Sequence, residues 1–340
     1  VRLLIVKLSA LGDVVQALPL ASAIKRQAPA AVVEWLVERP YAPLLAGSPA
    51  VDRVIESPRH EIWEGSGNML TALSGFGRSL RRHRYQAVLD LQGLMKSAIF
   101  VALCRAERKI GFRGGKEPLA AWPLSERLDP YDPERHALER YLDLLEPLGF
   151  MRPATPEFGL CPGPAAQQRA RELAGEGQGP LVVLHPVAKW ESKLWPVEHW
   201  ARLAEGLARR GARLVLTGAA DDRPVTRAIL RRSGAPGVDL AGATSLLELA
   251  AVLGRARAVV ATDTGAMHLA AAVGAKVVAL FGPTAPWRTG PYGRGHRVLR
   301  LGLECSPCFR RECERPVCLA GLEPEKVLEE TAAVLAQGAA

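Results

Sequence analysis

The run Val259-Val260-Ala261-Thr262 breaks at Asp263-Thr264-Gly265, passes through the small-residue segment that begins Ala266-Met267-His268, and resumes as Lys276-Val277-Val278-Ala279-Leu280-Phe281 before Gly282-Pro283. By pattern this is strand, polar turn, helix, strand. Strands alternating with helices in this way imply a parallel α/β sheet covered on both faces by helices. Ligands of such sheets sit outside the carboxyl ends of the strands, so Asp263, Thr264 and His268 fall where a site is expected. Gly265 permits close backbone approach, and the free N–H groups of the following helix suit an anion. Capping of that helix by Asp263 and Thr264 is the competing reading.

The same alternation recurs along the chain. Leu3 to Lys7 reads as a strand, Leu8 to Asp13 as a turn, Val14 onward as a helix and Val32 to Val37 as the returning strand, without a G-x-G-x-x-G fingerprint. Asp13 is either the cap of its helix or a carboxylate at a strand's carboxyl edge. Short apolar runs follow at Val51 to Ile55, Ala87 to Leu89 and Arg108 to Phe112, with helical patterns at Met69 to Arg82 and Leu94 to Cys104. The basic cluster Arg78, Arg81, Arg82, His83 and Arg84 is read as a solvated helix end, with a membrane-facing role as the alternative. An amphipathic helix is expected over Pro133 to Leu148, ended by Gly149, and the proline-rich stretch Arg152 to Pro164 reads as a linker.

A second α/β domain begins at Pro180, with strands at Leu181 to His185, Arg213 to Thr217, Ala256 to Ala261 and Ala275 to Phe281. Its helices are expected near Glu198 to Arg209, Arg223 to Arg232 and Leu246 to Leu253, and an amphipathic helix from Glu323 to Leu335 closes the chain. The expected domains are residues 1–160, residues 161–322 and a terminal helix within 323–340. At 340 residues, two domains are the natural division. Hydrophobic residues at 48% and charged residues at 23% make a globular composition, and a net charge of +9 favours anionic partners. No run reaches the roughly 18 apolar residues of a membrane span, and no signal peptide is read at the start. A cytoplasmic protein is therefore expected.

Four segments carry a resemblance. They are Lys7 to Asp13; His185-Pro186-Val187-Ala188-Lys189-Trp190-Glu191-Ser192-Lys193-Leu194-Trp195-Pro196; Leu216 to Asp222; and Asp263 to His268. In this order they resemble glycosyltransferase family 9, the ADP-heptose:lipopolysaccharide heptosyltransferases, over essentially the whole chain. The resemblance implies a GT-B architecture of two Rossmann-like domains whose parallel sheets face a central cleft, the acceptor on the first and ADP-heptose mainly on the second. It implies an inverting, metal-independent transfer with Asp13 as catalytic base and Lys193 on the donor phosphates. Asp263 would hold the donor sugar, Thr264, Gly265 and His268 would border the diphosphate, and Thr244 is included among the donor contacts. Asp222, preferred over Asp221, would take the ribose hydroxyls.

First-domain segments such as Trp35 to Glu38, Lys116 to Ala120 and His136 to Arg140 are most similar to members that add the first heptose to Kdo. The acceptor's carboxylate and phosphates call for cations, and Lys7, Arg59, Arg113 and Lys116 are the candidates. The expected setting is the cytoplasmic face of the inner membrane, with the protein peripheral there and Kdo-lipid A as acceptor. Two features depart from this pattern. Lys116 stands where the resembled enzymes tend to carry arginine, and Cys305, Cys308, Cys313 and Cys318 form a C-x2-C-x4-C-x4-C segment more typical of second-heptose transferases, which keeps heptosyltransferase II as the alternative. Those thiols could hold structural zinc or an iron–sulfur cluster, form disulfides or stay reduced, and no cofactor is expected for catalysis. A non-catalytic nucleic-acid-binding protein fits the charge but has neither a recognisable motif nor more than 6% aromatic residues to support it. A nucleotide-dependent epimerase or dehydrogenase would need the missing glycine fingerprint.

Overall fold

The computed structural model describes residues 1–58, 69–114 and 116–337. It divides into two compact units, Val1–Cys161 and Pro162–Ala340. In the first, the strands are β1 (Arg2–Val6), β2 (Val32–Glu38), β3 (Arg53–Ser57), β4 (Arg84–Asp90), β5 (Arg105–Phe112) and β6 (Glu126–Leu128). All pair in parallel, in the order β3-β2-β1-β4-β5-β6. The central strands read as uninterrupted apolar runs because helices cover both faces, and Leu4, Val6, Leu36, Val88 and Phe100 meet in one buried cluster.

The second unit repeats this plan. Its strands are β7 (Leu181–His185), β8 (Arg213–Leu216), β9 (Gly237–Asp239), β10 (Ala258–Thr262), β11 (Val277–Leu280) and β12 (Arg297–Leu299), in the order β12-β11-β10-β7-β8-β9. Trp195, Trp200, Leu203 and Leu207 pack with Val327 and Val334 of the closing helix Pro324–Ala336. The Trp195 indole donates to the Leu322 carbonyl at 2.9 Å. At Gly206 of the helix Val197–Arg209, a Cβ would come within 2.5 Å of a Leu328 methyl, so a side chain there would force the Leu328 side chain on the closing helix to shift.

Counted from each unit's own first strand, both sheets have the order 3-2-1-4-5-6 of a doubly wound fold. The order reverses direction between β1 and β4, and again between β7 and β10. Successive crossovers leave the sheet on opposite sides at those points, which opens a crevice at the carboxyl ends of the two strands. Asp13 follows β1 and Asp263 follows β10, so both lie at such points.

Three expectations need correction. The helix expected over Pro133 to Leu148 is α-helical only at Ala137–Leu142 and tightens to a 3-10 turn over Asp143–Leu148. Pro147 cannot donate to the α-helical ladder, and Gly149, at φ 77°, ends the element in the left-handed conformation. The first helix starts at Leu11 rather than Val14. Finally, β6, β9 and β12 were not expected: three-residue edge strands are too short to show periodicity. Among the described residues, no helix is long and apolar enough to cross a membrane.

Candidate functional site

In the second unit, β7 ends at His185 and the chain reaches the helix Val197–Arg209 through a 3-10 turn at Glu191–Lys193. The turn closes through Lys193 N–H to the Trp190 carbonyl at 3.0 Å, and it lays the Lys193 ammonium 4.3 Å from the centre of the Trp190 ring. The ammonium donates to Asp263 Oδ2 at 2.7 Å, with the two side chains 14% and 7% exposed. His268 Nε2 stands 3.9 Å from the other carboxylate oxygen.

This geometry bears against the capping reading of Asp263 and Thr264. Thr264 occupies the N-cap position of the helix Gly265–Ala272 but makes no side-chain cap hydrogen bond, and the Asp263 carboxylate is engaged by Lys193. The first turn of that helix therefore begins without side-chain capping beside a confined cation, a combination suited to a phosphate. The hydroxyls of Thr262, the last residue of β10, and of Thr284, four residues beyond β11, are buried without a protein partner among the described residues.

The remaining donor candidates line neighbouring turns. Asp222 Oδ2 accepts from Ala219 N–H at 2.7 Å and so closes its own turn, while Asp221 is exposed. The turn is tight enough that a Cβ on Gly218 would meet the Asp222 Cβ at 2.9 Å. Thr244 is half-buried just before the helix Leu246–Arg255, which Ser245 and Glu248 start through a reciprocal capping box.

His185, at the end of β7, shares a 2.9 Å hydrogen bond between Nδ1 and Thr217 Oγ1, and burial pushes its pKa from the ordinary 6.5 to about 4. Below pH 6.5 the unfolded chain binds a proton that the folded chain refuses until about pH 4. Stability present above 6.5 is thus lost as the pH falls through that window. At 1.36 kcal/mol per unit, the unfolding free energy should fall by about 3 kcal/mol more in the parent than in His185→Gln over this range. Denaturant titrations at both ends of the window check this; parallel curves would refute it.

In the first unit, Asp13 is the third residue of the helix Leu11–Gln27, with Ala10 at the N-cap. Its carboxylate accepts from Ala10 N–H at 3.3 Å, so it supports the helix start, though from inside the first turn and not as the cap. The side chain remains 43% exposed, and Lys7 Nζ lies 3.6 Å away. Lys7, expected to contact the acceptor, is instead 4% exposed, with its ammonium 3.4 Å from the Leu91 carbonyl and 5.2 Å from the centre of the Tyr141 ring. Burial lowers its pKa, but Asp13, Tyr141 and Asp90 outweigh that and hold it above the ordinary value, so Lys7 stays cationic beside Asp13.

The turn carrying Asp13 is held by residues that the sequence reading did not single out. Gln92 Oε1 accepts from Leu8 and Ser9 N–H at 3.1 and 3.2 Å, and Lys96 donates to Ser9 Oγ at 2.7 Å and to Glu38 at 3.0 Å. Asp90, buried, accepts from Gln92 and Gly93 N–H and from the Ser97 hydroxyl. The only local signal was the polar break Asp90-Leu91-Gln92-Gly93 after an apolar run. Among the acceptor candidates, Arg113 is exposed and paired with Asp129, Lys116 is exposed, and Arg59 lies outside the described residues.

None of the six cysteines is paired in a disulfide: Cys104 is buried, Cys161, Cys305, Cys308 and Cys313 are exposed, and Cys318 is half-buried. Burial, and then the neighbouring Cys308, push the Cys318 thiol up. Among the described residues, no three His, Cys, Asp or Glu side chains are grouped so as to hold a metal ion.

The sequence model of glycosyltransferase family 9 (heptosyltransferase) matches residues 74–318. The chain is 33% identical to lipopolysaccharide heptosyltransferase 1 of Pseudomonas aeruginosa, an alignment covering 98% of each chain. It is 27% identical to lipopolysaccharide heptosyltransferase 2 of Salmonella typhimurium across 99% of each. Among solved structures, E. coli heptosyltransferase WaaC with ADP superposes with a TM-score of 0.82 at 28% identity, covering 98% of this chain and 100% of that one.

Proposed function

Because the chain belongs to glycosyltransferase family 9, we propose that it transfers heptose from ADP-heptose to the Kdo of a lipid A-linked acceptor, as a first-heptose transferase. The observation that carries this reading is the Lys193–Asp263 pair. Two residues that the resemblance assigns to the donor, 70 positions apart, meet at the point where the second sheet reverses its strand order.

The proposed reaction is a single inverting displacement. Asp13 takes the proton of the acceptor hydroxyl as its oxygen attacks the anomeric carbon opposite the leaving diphosphate. No protonating acid is required, because the diphosphate leaves as an anion at neutral pH, in contrast to the two-carboxylate chemistry of glycosidases. What the leaving group needs is positive charge and aimed N–H dipoles. Lys193 and the uncapped first turn at Gly265 supply both, so the scheme assigns no step to a metal ion. Asp263 then holds the donor sugar, while Thr264 and His268 border the diphosphate and Asp222 and Thr244 lie toward the nucleoside. Lys7 is a positioning residue: its buried ammonium fixes the Asp13 carboxylate.

A net charge of +9 suits an anionic acceptor embedded in the cytoplasmic face of the inner membrane, where the protein is proposed to act peripherally, with no nucleic-acid partner. One observation favours the second-heptose reading, the C-x2-C-x4-C-x4-C segment at Cys305 to Cys318. Incubation with ADP-heptose and either Kdo2-lipid A or its mono-heptosylated form separates the two. Transfer to the unheptosylated acceptor alone is expected. Transfer only to the mono-heptosylated form would move the assignment to heptosyltransferase II, and transfer to neither would remove both.

A further inference from the structure

The cysteine-rich segment 305–318 has no part in the chemistry above, yet it touches the donor side of the second unit at two places. At one, Cys308 and Phe309 N–H both donate to the Pro283 carbonyl, at 3.1 and 2.8 Å, and the Ser306 hydroxyl donates to the carbonyl of Gly282. This ties the segment to the end of β11, the neighbour of the strand that leads into Asp263. At the other, Ser192 N–H donates to the Arg311 carbonyl at 3.1 Å, and the Ser192 hydroxyl donates to the Arg310 carbonyl at 2.7 Å. Ser192 is only 2% exposed and immediately precedes Lys193. The Arg311 guanidinium lies 5.7 Å from the centre of the Trp190 ring, the same ring over which Lys193 sits.

We propose that segment 305–318 is a strut that fixes the height of the Lys193 turn against Asp263, with Ser192 as the positioning residue through which it acts. This rests on the reading of Lys193 as the donor-phosphate contact. The physical case is one of anchoring. The turn at Glu191–Lys193 is three residues long and has few bonds of its own. Both donors of its middle residue go to the carbonyls of two successive residues far along the chain, and two such bonds fix both position and rotation. A long, flexible ammonium can deliver directed charge only if its backbone is held in this way. The strut's other end, at Gly282 and Pro283, refers that position to the sheet edge beside Asp263.

Ser192→Ala removes the hydroxyl bond while keeping the backbone bond. The expected result is a rise in the KM for ADP-heptose of about tenfold, the size of one net hydrogen bond, with kcat changed much less and the melting temperature nearly kept. A second readout does not depend on catalysis: acylation of Lys193 by an amine-reactive ester, located by peptide mass spectrometry, should be faster in Ser192→Ala. Arg311→Ala, at an exposed position, should shift both readouts in the same direction by less and guards against misfolding of the first variant. Unchanged KM together with unchanged Lys193 labelling in both variants would overturn the strut. If the parent neither binds ADP nor transfers heptose, the donor reading fails by itself, and the labelling contrast still tests the anchoring.

Discussion

Asp13→Asn lowers heptosyl transfer by about 10²–10⁴-fold, the usual contribution of a positioned general base, and leaves ADP affinity near that of the parent. The substitution is informative because its structural cost is small. The asparagine side-chain oxygen can still accept from Ala10 N–H, so the helix Leu11–Gln27 keeps its start. Lys7 loses one anionic neighbour but keeps Tyr141 and the buried Asp90 nearby. What is lost is the capacity to accept a proton, on a side chain 43% exposed and therefore within reach of a substrate. The measurement is turnover with saturating ADP-heptose and acceptor, alongside calorimetry with ADP. An unchanged rate would take Asp13 out of the base role, and a parallel loss of ADP binding would point to misfolding instead of chemistry.

Lys193→Met should reduce kcat/KM by about 10²–10³-fold, the scale seen when one preorganised charge-stabilising group is removed. Two effects coincide here and must be separated. Removing the ammonium strips charge from the leaving diphosphate, and it also strands a carboxylate that is 7% exposed. Breaking a buried pair by deleting one partner costs about 3–5 kcal/mol. The nearby His268 and the 14% exposure of Lys193 place this site at the low end of that range. The double variant Lys193→Met/Asp263→Asn removes the stranded charge and should recover most of the stability, measured by chemical denaturation, while activity stays lost. Recovery of activity in the double variant would mean that Lys193 serves the fold and not the reaction.

Much of this architecture was legible in the chain. The alternation of apolar run, polar break and helical segment is local, and it located the central strands of both sheets and the turns that carry Asp13, Lys193 and Asp263. It failed where the signal is not local or is too short. Pro147 split an apparently continuous amphipathic stripe, and the three-residue edge strands carry no period to detect. Lys7 reads as a candidate acceptor contact because a sequence cannot show that Tyr141, 134 positions away, packs beside its ammonium.

Sequence by itself determined that this chain makes two rounds of parallel α/β structure and that the carboxylates Asp13 and Asp263 stand in the turns that follow strands, since hydrophobic period and turn chemistry act between residues a few positions apart; Lys193 was singled out only by the family resemblance. Only the tertiary structure decided which strand ends are neighbours. It is that ordering, β10 beside β7 and β4 beside β1, that joins Lys193 to Asp263, sets Gln92 and Lys96 under the Asp13 turn, and brings the strand-flanking segment 305–318 against Ser192. Such pairings depend on the crossover path of the folded sheet, which no short-range pattern records.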